Sequence, residues 1–221
     1  MRLPGSDNLV ILIHGFANPG GRNTTDHFIP GFKSLGCDVV PWDYWDHDGW
    51  WSAPFSLVQV RVANEAIANG LRQYTHLARR VYNHIAVIGH SNGGAISWIA
   101  SRPRTDEQGV EQPGAFFDSV VLINPALDRD AVFGPNTRQI FCIHTPWDVP
   151  TRIGGLLPFH WWGDAGARGL DPEPRVVNID ASTNIQFPIR DHDGLMSYKN
   201  LEGYWEAEVQ RLALCRPQES V

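Results

Sequence analysis

Ile85-Ala86-Val87-Ile88-Gly89-His90-Ser91-Asn92-Gly93-Gly94-Ala95 is the stretch on which the reading of this chain turns. Ile85 to Ile88 is a short apolar run of the kind that forms a buried strand, and Ala95, Ile96, Trp98 and Ile99 recur beyond it at helical spacing. Between the two stands a serine with a glycine two positions to either side. A strand that turns this sharply into a helix holds its central residue in a strained backbone, and side chains at 89 and 93 would collide. The serine hydroxyl then projects above the end of the strand. The backbone N–H of Asn92 falls in the first turn of the helix, where free amide donors and the helix dipole favour a negative oxygen. Gly94 and Ala95 are small enough to let that helix pack closely on a sheet.

Gly89-x-Ser91-x-Gly93 between strand and helix resembles the nucleophile elbow of the α/β-hydrolase superfamily, among its small lipase and esterase members. The resemblance implies a nucleophile, Ser91, and three further parts in fixed chain order. His14-Gly15-Phe16 closes the apolar run Leu9-Val10-Ile11-Leu12-Ile13 and resembles the oxyanion loop, which makes the N–H of Phe16 the second donor beside that of Asn92. His14 is expected to brace the loop, because the base comes last in this fold's order. The acid commonly follows the strand that here runs from Arg138 to His144, and Asp148-Val149-Pro150 loosely matches its turn. Asp128 and Asp130, after the preceding strand, are the rival positions. An Asx-turn capping the next segment is the purely structural reading of Asp148. His192, in Arg190-Asp-His192-Asp-Gly before a terminal helix, stands where this fold puts its base; His160 is the rival but precedes the last strand. The order Ser91, Asp148, His192 is the hydrolase order.

The rest of the chain agrees with that frame. At 221 residues, 43% of them hydrophobic and 19% charged, it reads as a single domain with a full core. Apolar runs near residues 9, 37, 85, 118, 138 and 175 count six strands, alternating with helical segments at 25–35, 52–78, beyond Ser91 and around Leu201 to Leu212. The expected fold is α/β, a doubly wound and mainly parallel sheet with helices on both faces. Arg102 to Gly114 reads as a surface loop, and Gly154 to Pro174 as the longest irregular stretch.

Composition removes other classes of function. A net charge of −6 and the lack of any Lys/Arg run argue against nucleic acid. No stretch reaches the 18 or more apolar residues of a membrane span, and Met1 to Asn8 has no apolar signal region, so the expected location is cytoplasmic. Cys37, Cys142 and Cys215 form no paired motif, and the first two read as buried small hydrophobes. Asp43, Asp46, His47 and Asp48 match no metal-site spacing, so no metal or other cofactor is expected. Trp50 and Trp51, with Trp161 and Trp162, are candidates to line an apolar acyl or aryl pocket, although tryptophans build cores as readily.

The function these residues imply is hydrolysis of carboxylic esters, small or polymeric, through an acyl-enzyme on Ser91. A lipase, an amidase or peptidase, and a perhydrolase would use the same residues. A non-catalytic binding module on this scaffold would be expected to lack a member of the triad. Only about a dozen residues separate Pro125 from the strand at Arg138, a connection rather than a lid, so short to medium acyl chains are expected.

Overall fold

The structure, a computed structural model, describes residues 6–15, 24–44, 53–105, 108–154, 163–183, 196 and 204–216, with backbone alone at 53–62, 150, 153–154 and 183. Its strands are β1 (Asn8–Ile13), β2 (Asp38–Pro41), β3 (His84–His90), β4 (Arg104–Thr105), β5 (Glu111–Gln112), β6 (Phe117–Ile123), β7 (Thr137–His144) and β8 (Val176–Asp180). Its helices are α1 (Ile29–Ser34), α2 (Ala53–Ala78), α3 (Asn92–Ser101), α4 (Val149–Gly154), α5 (Ala165–Arg168) and α6 (Glu206–Ala213). Six strands form one sheet in the order β2-β1-β3-β6-β7-β8, and every neighbouring pair is parallel.

The period-two geometry of a strand decides what each residue touches. Leu9, Ile11 and Ile13 of β1 point to one face, where they join Val87, Leu122 and Cys142 under α2, α3 and α5. Val10 and Leu12 point to the other and join Ile88, Val121 and Ile143 under α1 and α6, which supply Phe32, Val209 and Leu212. The register places Leu12 beside Ile88, Ile88 beside Val121 and Val121 beside Phe141, so one row of side chains crosses four strands. With both faces covered, the inner strands need apolar residues without alternation, and all of them are buried from Phe117 to Ile123. Each such Leu, Ile or Val contributes about 1.5–3 kcal/mol of burial.

At the end of the sheet away from Ser91, a buried carboxylate staples three elements. Asp118 Oδ2 accepts from the Arg79 guanidinium at 2.8 Å and from the Ile85 N–H at 2.8 Å, and Arg138 lies 3.4 Å from Oδ1. Burial alone would raise its pKa, but the Arg79 and Ile85 hydrogen bonds, with the charges of Arg79 and His84, hold it below the usual carboxylate range. A depressed folded-state pKa contributes stability that is complete above about pH 4, the unfolded value, and is lost as pH falls through the folded one. Asp118→Asn is therefore expected to lose about 1.5–3 kcal/mol at pH 7. The gap from the parent chain should close in strong acid. Urea unfolding of both chains across that range checks it, and a gap that does not change with pH would show that the charge contributes nothing.

Close by, His84 Nε2 donates to the Ala213 carbonyl at 2.7 Å, and the Ser119 hydroxyl donates to the same oxygen. Two buried donors thus satisfy an orphan carbonyl at the C-terminus of α6 and fix the helix to the sheet.

The irregular stretches hold more order than their composition suggests. Residues 102–114 contain the antiparallel hairpin β4–β5, whose two-residue exposed strands leave no apolar alternation to read. The stretch from Gly154 to Pro174 contains α5, a single turn whose Ala165 and Ala167 are buried against the sheet. Cys37, Cys142 and Cys215 are all free, and burial pushes the Cys142 thiol up to about 12. No helix among the described residues is long and apolar enough to cross a membrane.

Candidate functional site

The C-terminal edge of the sheet holds those of the expected site residues that the structure describes. β3 ends at His90 and α3 begins at Asn92, leaving Ser91 alone at the turn with φ 52° and ψ −118°. That conformation is strained for any residue with a side chain, and its surroundings enforce it. Ser91 N–H donates to the Ile123 carbonyl at 3.0 Å, and the Ser91 carbonyl accepts from the N–H groups of Gly94 and Ala126, each at 3.0 Å. The glycines are sterically required. A Cβ on Gly93 would lie 2.2 Å from the Ile13 carbonyl oxygen, and one on Gly89 would lie 2.7 Å from that of Gly93. Although Ser91 is the N-cap of α3, its side chain caps nothing, and its hydroxyl takes no hydrogen-bond partner among the described residues.

The loop after β1 lies directly against this turn. A Cβ on Gly15 would stand 3.1 Å from Ser91 Cβ and 2.9 Å from His90 Nδ1, so only glycine brings the loop backbone so close. The Gly15 N–H donates to Thr24 Oγ1 at 3.3 Å, and Thr24 Oγ1 is also 2.9 Å from His90 Nδ1. His14 is buried; its Nδ1 donates to the Gly15 carbonyl at 2.7 Å, which fixes the tautomer, and its ring stacks on Tyr44 with centroids 4.1 Å apart. His14 thus bonds within its own loop and packs on Tyr44, which follows β2.

Asn92 has two distinct ends. Its N–H is in the first turn of α3, where no intrahelical acceptor exists. Its side-chain amide forms a reciprocal pair with Asn64 of α2: Asn64 Nδ2 donates to Asn92 Oδ1 at 2.8 Å, and Asn92 Nδ2 donates back to Asn64 Oδ1 at 3.0 Å. Asn92 Nδ2 also donates to Tyr44 Oη at 3.3 Å, and Tyr44 Oη donates to the His14 carbonyl at 2.8 Å.

Asp148 follows β7 on the same edge and is fully buried at the start of α4. Its Oδ1 accepts from the Thr151 N–H at 3.1 Å, an N-cap contact, and its Oδ2 would lie 2.8 Å from a Cβ on Gly166. That same Cβ would be 3.0 Å from the Asn124 carbonyl carbon, and Asn124 adjoins the Ile123 and Ala126 groups that hold Ser91. Asp148 and the chain segment that holds Ser91 thus lie on either side of Gly166. The rivals differ in surroundings, since Asp130 is exposed and Asp128 half-buried. Phe16, His160 and His192 lie outside the described residues, as do Trp50, Trp51, Trp161 and Trp162.

Two of the residues joined here to the elbow are not visible as functional in a motif search. Tyr44 follows an edge strand in an aromatic loop. Asn64 leaves a clearer signal, because it stands on the buried stripe of α2 with Ala68, Leu71, Thr75 and Ala78, where a polar side chain needs a partner. A second Ser–His pair, Ser119 and His84 at 3.4 Å, is at the other end of the sheet and is committed to Ala213.

No family model matches the sequence, and no curated protein matches it. Among solved structures, an Agrobacterium tumefaciens protein of unknown function classed with the α/β hydrolases is 12% identical. The match covers 96% of this chain and 88% of the other, with a TM-score of 0.54. A Xanthomonas campestris structure classed as a hydrolase of the α/β superfamily is 16% identical, with 94% and 96% covered and a TM-score of 0.49. A Pyrococcus furiosus esterase is 13% identical, with 94% and 82% covered and a TM-score of 0.49. At this level of identity the likeness is one of fold.

Proposed function

We propose that this chain, which has the α/β-hydrolase fold, is a serine hydrolase that cleaves carboxylic esters through an acyl-enzyme on Ser91. The observation that carries the reading is the strained backbone of Ser91, held at a strand–helix turn with the Gly15 loop against it and its hydroxyl unused by the described residues.

In this reading His192 removes the Ser91 hydroxyl proton as Oγ attacks the ester carbonyl carbon. The resulting oxyanion is held by the N–H groups of Asn92 and Phe16. As the tetrahedral species collapses, the carbon–oxygen bond to the alcohol breaks and His192 returns the proton to that alkoxide. Water then gives a proton to His192 as its oxygen attacks the acyl carbon; the bond from that carbon to Ser91 Oγ breaks, His192 returns the proton to Oγ, and the acid leaves. Asp148 holds the imidazole in the required tautomer and stabilises the imidazolium. Residues 124–136, which link β6 to β7, contain no helix, and this supports a lightly covered cleft for short to medium acyl groups. Trp50, Trp51, Trp161 and Trp162 would supply its apolar lining.

A panel of p-nitrophenyl esters and anilides, with a serine-directed phosphonate, tests the reading. Butyrate or hexanoate esters should turn over faster than palmitate, with no jump in rate at the solubility limit. The phosphonate mass should map to Ser91, and kcat/KM should fall as pH drops through about 6 to 7 as the base protonates. An adduct on another residue would sink the proposal. Faster anilide turnover would make the protein an amidase, and a sharp rise at the solubility limit would make it a lipase.

A further inference from the structure

We infer that Tyr44 and Asn64 are positioning residues that hold the N-terminus of α3 against the Gly15 loop, an inference that rests on the reading of Ser91 as nucleophile and of the Asn92 N–H as an oxyanion donor. The Gly15 loop and the N-terminus of α3 belong to separate elements. An oxyanion site works only if its donors are already aimed before charge develops, so something must fix one element against the other.

The hydrogen-bond inventory gives that link a single direction. An amide nitrogen only donates, so Asn92 Nδ2 uses its two hydrogens on Asn64 Oδ1 and Tyr44 Oη. Tyr44 Oη, having accepted from Asn92, sends its own hydrogen to the His14 carbonyl. Asn64 Nδ2 closes the pair by donating to Asn92 Oδ1. No member can reverse its role without leaving a donor facing a donor, and Asn64 and Asn92 are both buried, where a mismatch costs about 1–3 kcal/mol. Asparagine at 64 is therefore specific: aspartate would keep the acceptor and lose the donor.

What the link holds is a peptide plane. The His14 carbonyl accepts from Tyr44, and the N–H of the same planar unit, on Gly15, donates to Thr24. The following carbonyl, on Gly15, is held by His14 Nδ1, and the imidazole that holds it is stacked flat on Tyr44, with 3° between the rings. One tyrosine thus touches the loop through both its ring and its hydroxyl, and touches the elbow through Asn92.

Tyr44→Phe tests this, because it keeps the stacked ring and removes only the hydroxyl. Losing a direct oxyanion donor costs about 10²- to 10³-fold in kcat. A positioning residue one bond removed should cost about 10- to 100-fold in p-nitrophenyl butyrate turnover, with KM within about twofold. The inhibition constant of an alkyl boronic acid, which forms a tetrahedral adduct on the serine, should rise by the same factor as kcat falls. Inhibition by butyrate, which forms none, should not change. Asn64→Asp should give the same pattern and serves if Tyr44→Phe does not fold. The fraction of protein that a phosphonate labels at completion should match the parent's in both. Unchanged kcat in both variants overturns the inference, as does a fall in kcat that follows a fall in the labelled fraction. If the parent chain itself neither takes the phosphonate on Ser91 nor turns over esters, the proposed function fails first, and this inference fails with it.

Discussion

Ser91→Ala is expected to lower ester turnover by about 10³- to 10⁶-fold while leaving a folded protein, the range that deletion of a triad nucleophile produces elsewhere. The hydroxyl has no structural partner among the described residues and does not cap α3, so its removal costs no hydrogen bond there. The strained backbone remains, because alanine also carries a Cβ. This sets up an internal control in Ser91→Gly. Glycine adopts φ 52° freely and should relieve about 1–3 kcal/mol of strain, less about 0.4–1 kcal/mol for the greater freedom of its unfolded chain. For a chain of this size each kcal/mol is worth about 2–4 °C in Tm. The inactive glycine variant should therefore melt above the inactive alanine variant. Residual turnover in Ser91→Ala within tenfold of the parent would rule out Ser91 as nucleophile, and equal melting temperatures would mean the turn stores no strain.

Asp148→Asn should cost about 10⁴-fold in kcat, the loss seen when a triad acid can no longer set the imidazole tautomer. The substitution separates the chemical role from the structural one. Asparagine keeps an oxygen for the Thr151 N–H, so the N-cap contact of α4 survives while the charge is lost. Asp128→Asn and Asp130→Asn, at half-buried and exposed positions, should stay within a fewfold of the parent. Circular dichroism and thermal melts of all three variants distinguish lost chemistry from lost fold. Near-normal turnover in Asp148→Asn with collapse in Asp128→Asn would move the acid to the end of β6.

Much of the fold was legible because inner parallel strands covered on both faces must be continuous apolar runs, as at Leu9, Ile85, Asp118 and Arg138, while shorter runs at Cys37 and Arg175 mark the two less buried edge strands. The observed strands fall within a residue or two of each. β4 and β5 were not legible, since two exposed polar residues per strand bury nothing and so leave no pattern. α5 was hidden by its own composition, Ala-Gly-Ala-Arg, in which small residues serve close packing rather than mark a helix. At the candidate site, the turn at Ser91 was readable because its geometry excludes side chains at 89 and 93, a demand that shows as glycine. The bridge through Tyr44 and Asn64 was not, because it depends on residues from three elements meeting in space, and only the polar position on the α2 stripe hints at it.

The order of strands across the sheet bears on how the molecule is made. β1 takes its place between β2 and β3, so the first three strands must assemble out of sequence, over the long span of α2. From β3 onward, space and sequence run together: β6, β7 and β8 each add to the edge left by the strand before. On a ribosome, which releases the N-terminus first, the elbow and the loop it leans on can form while the segment carrying Asp148 is still being synthesised. Each later strand then finds one waiting edge, which limits the wrong pairings that a parallel sheet invites.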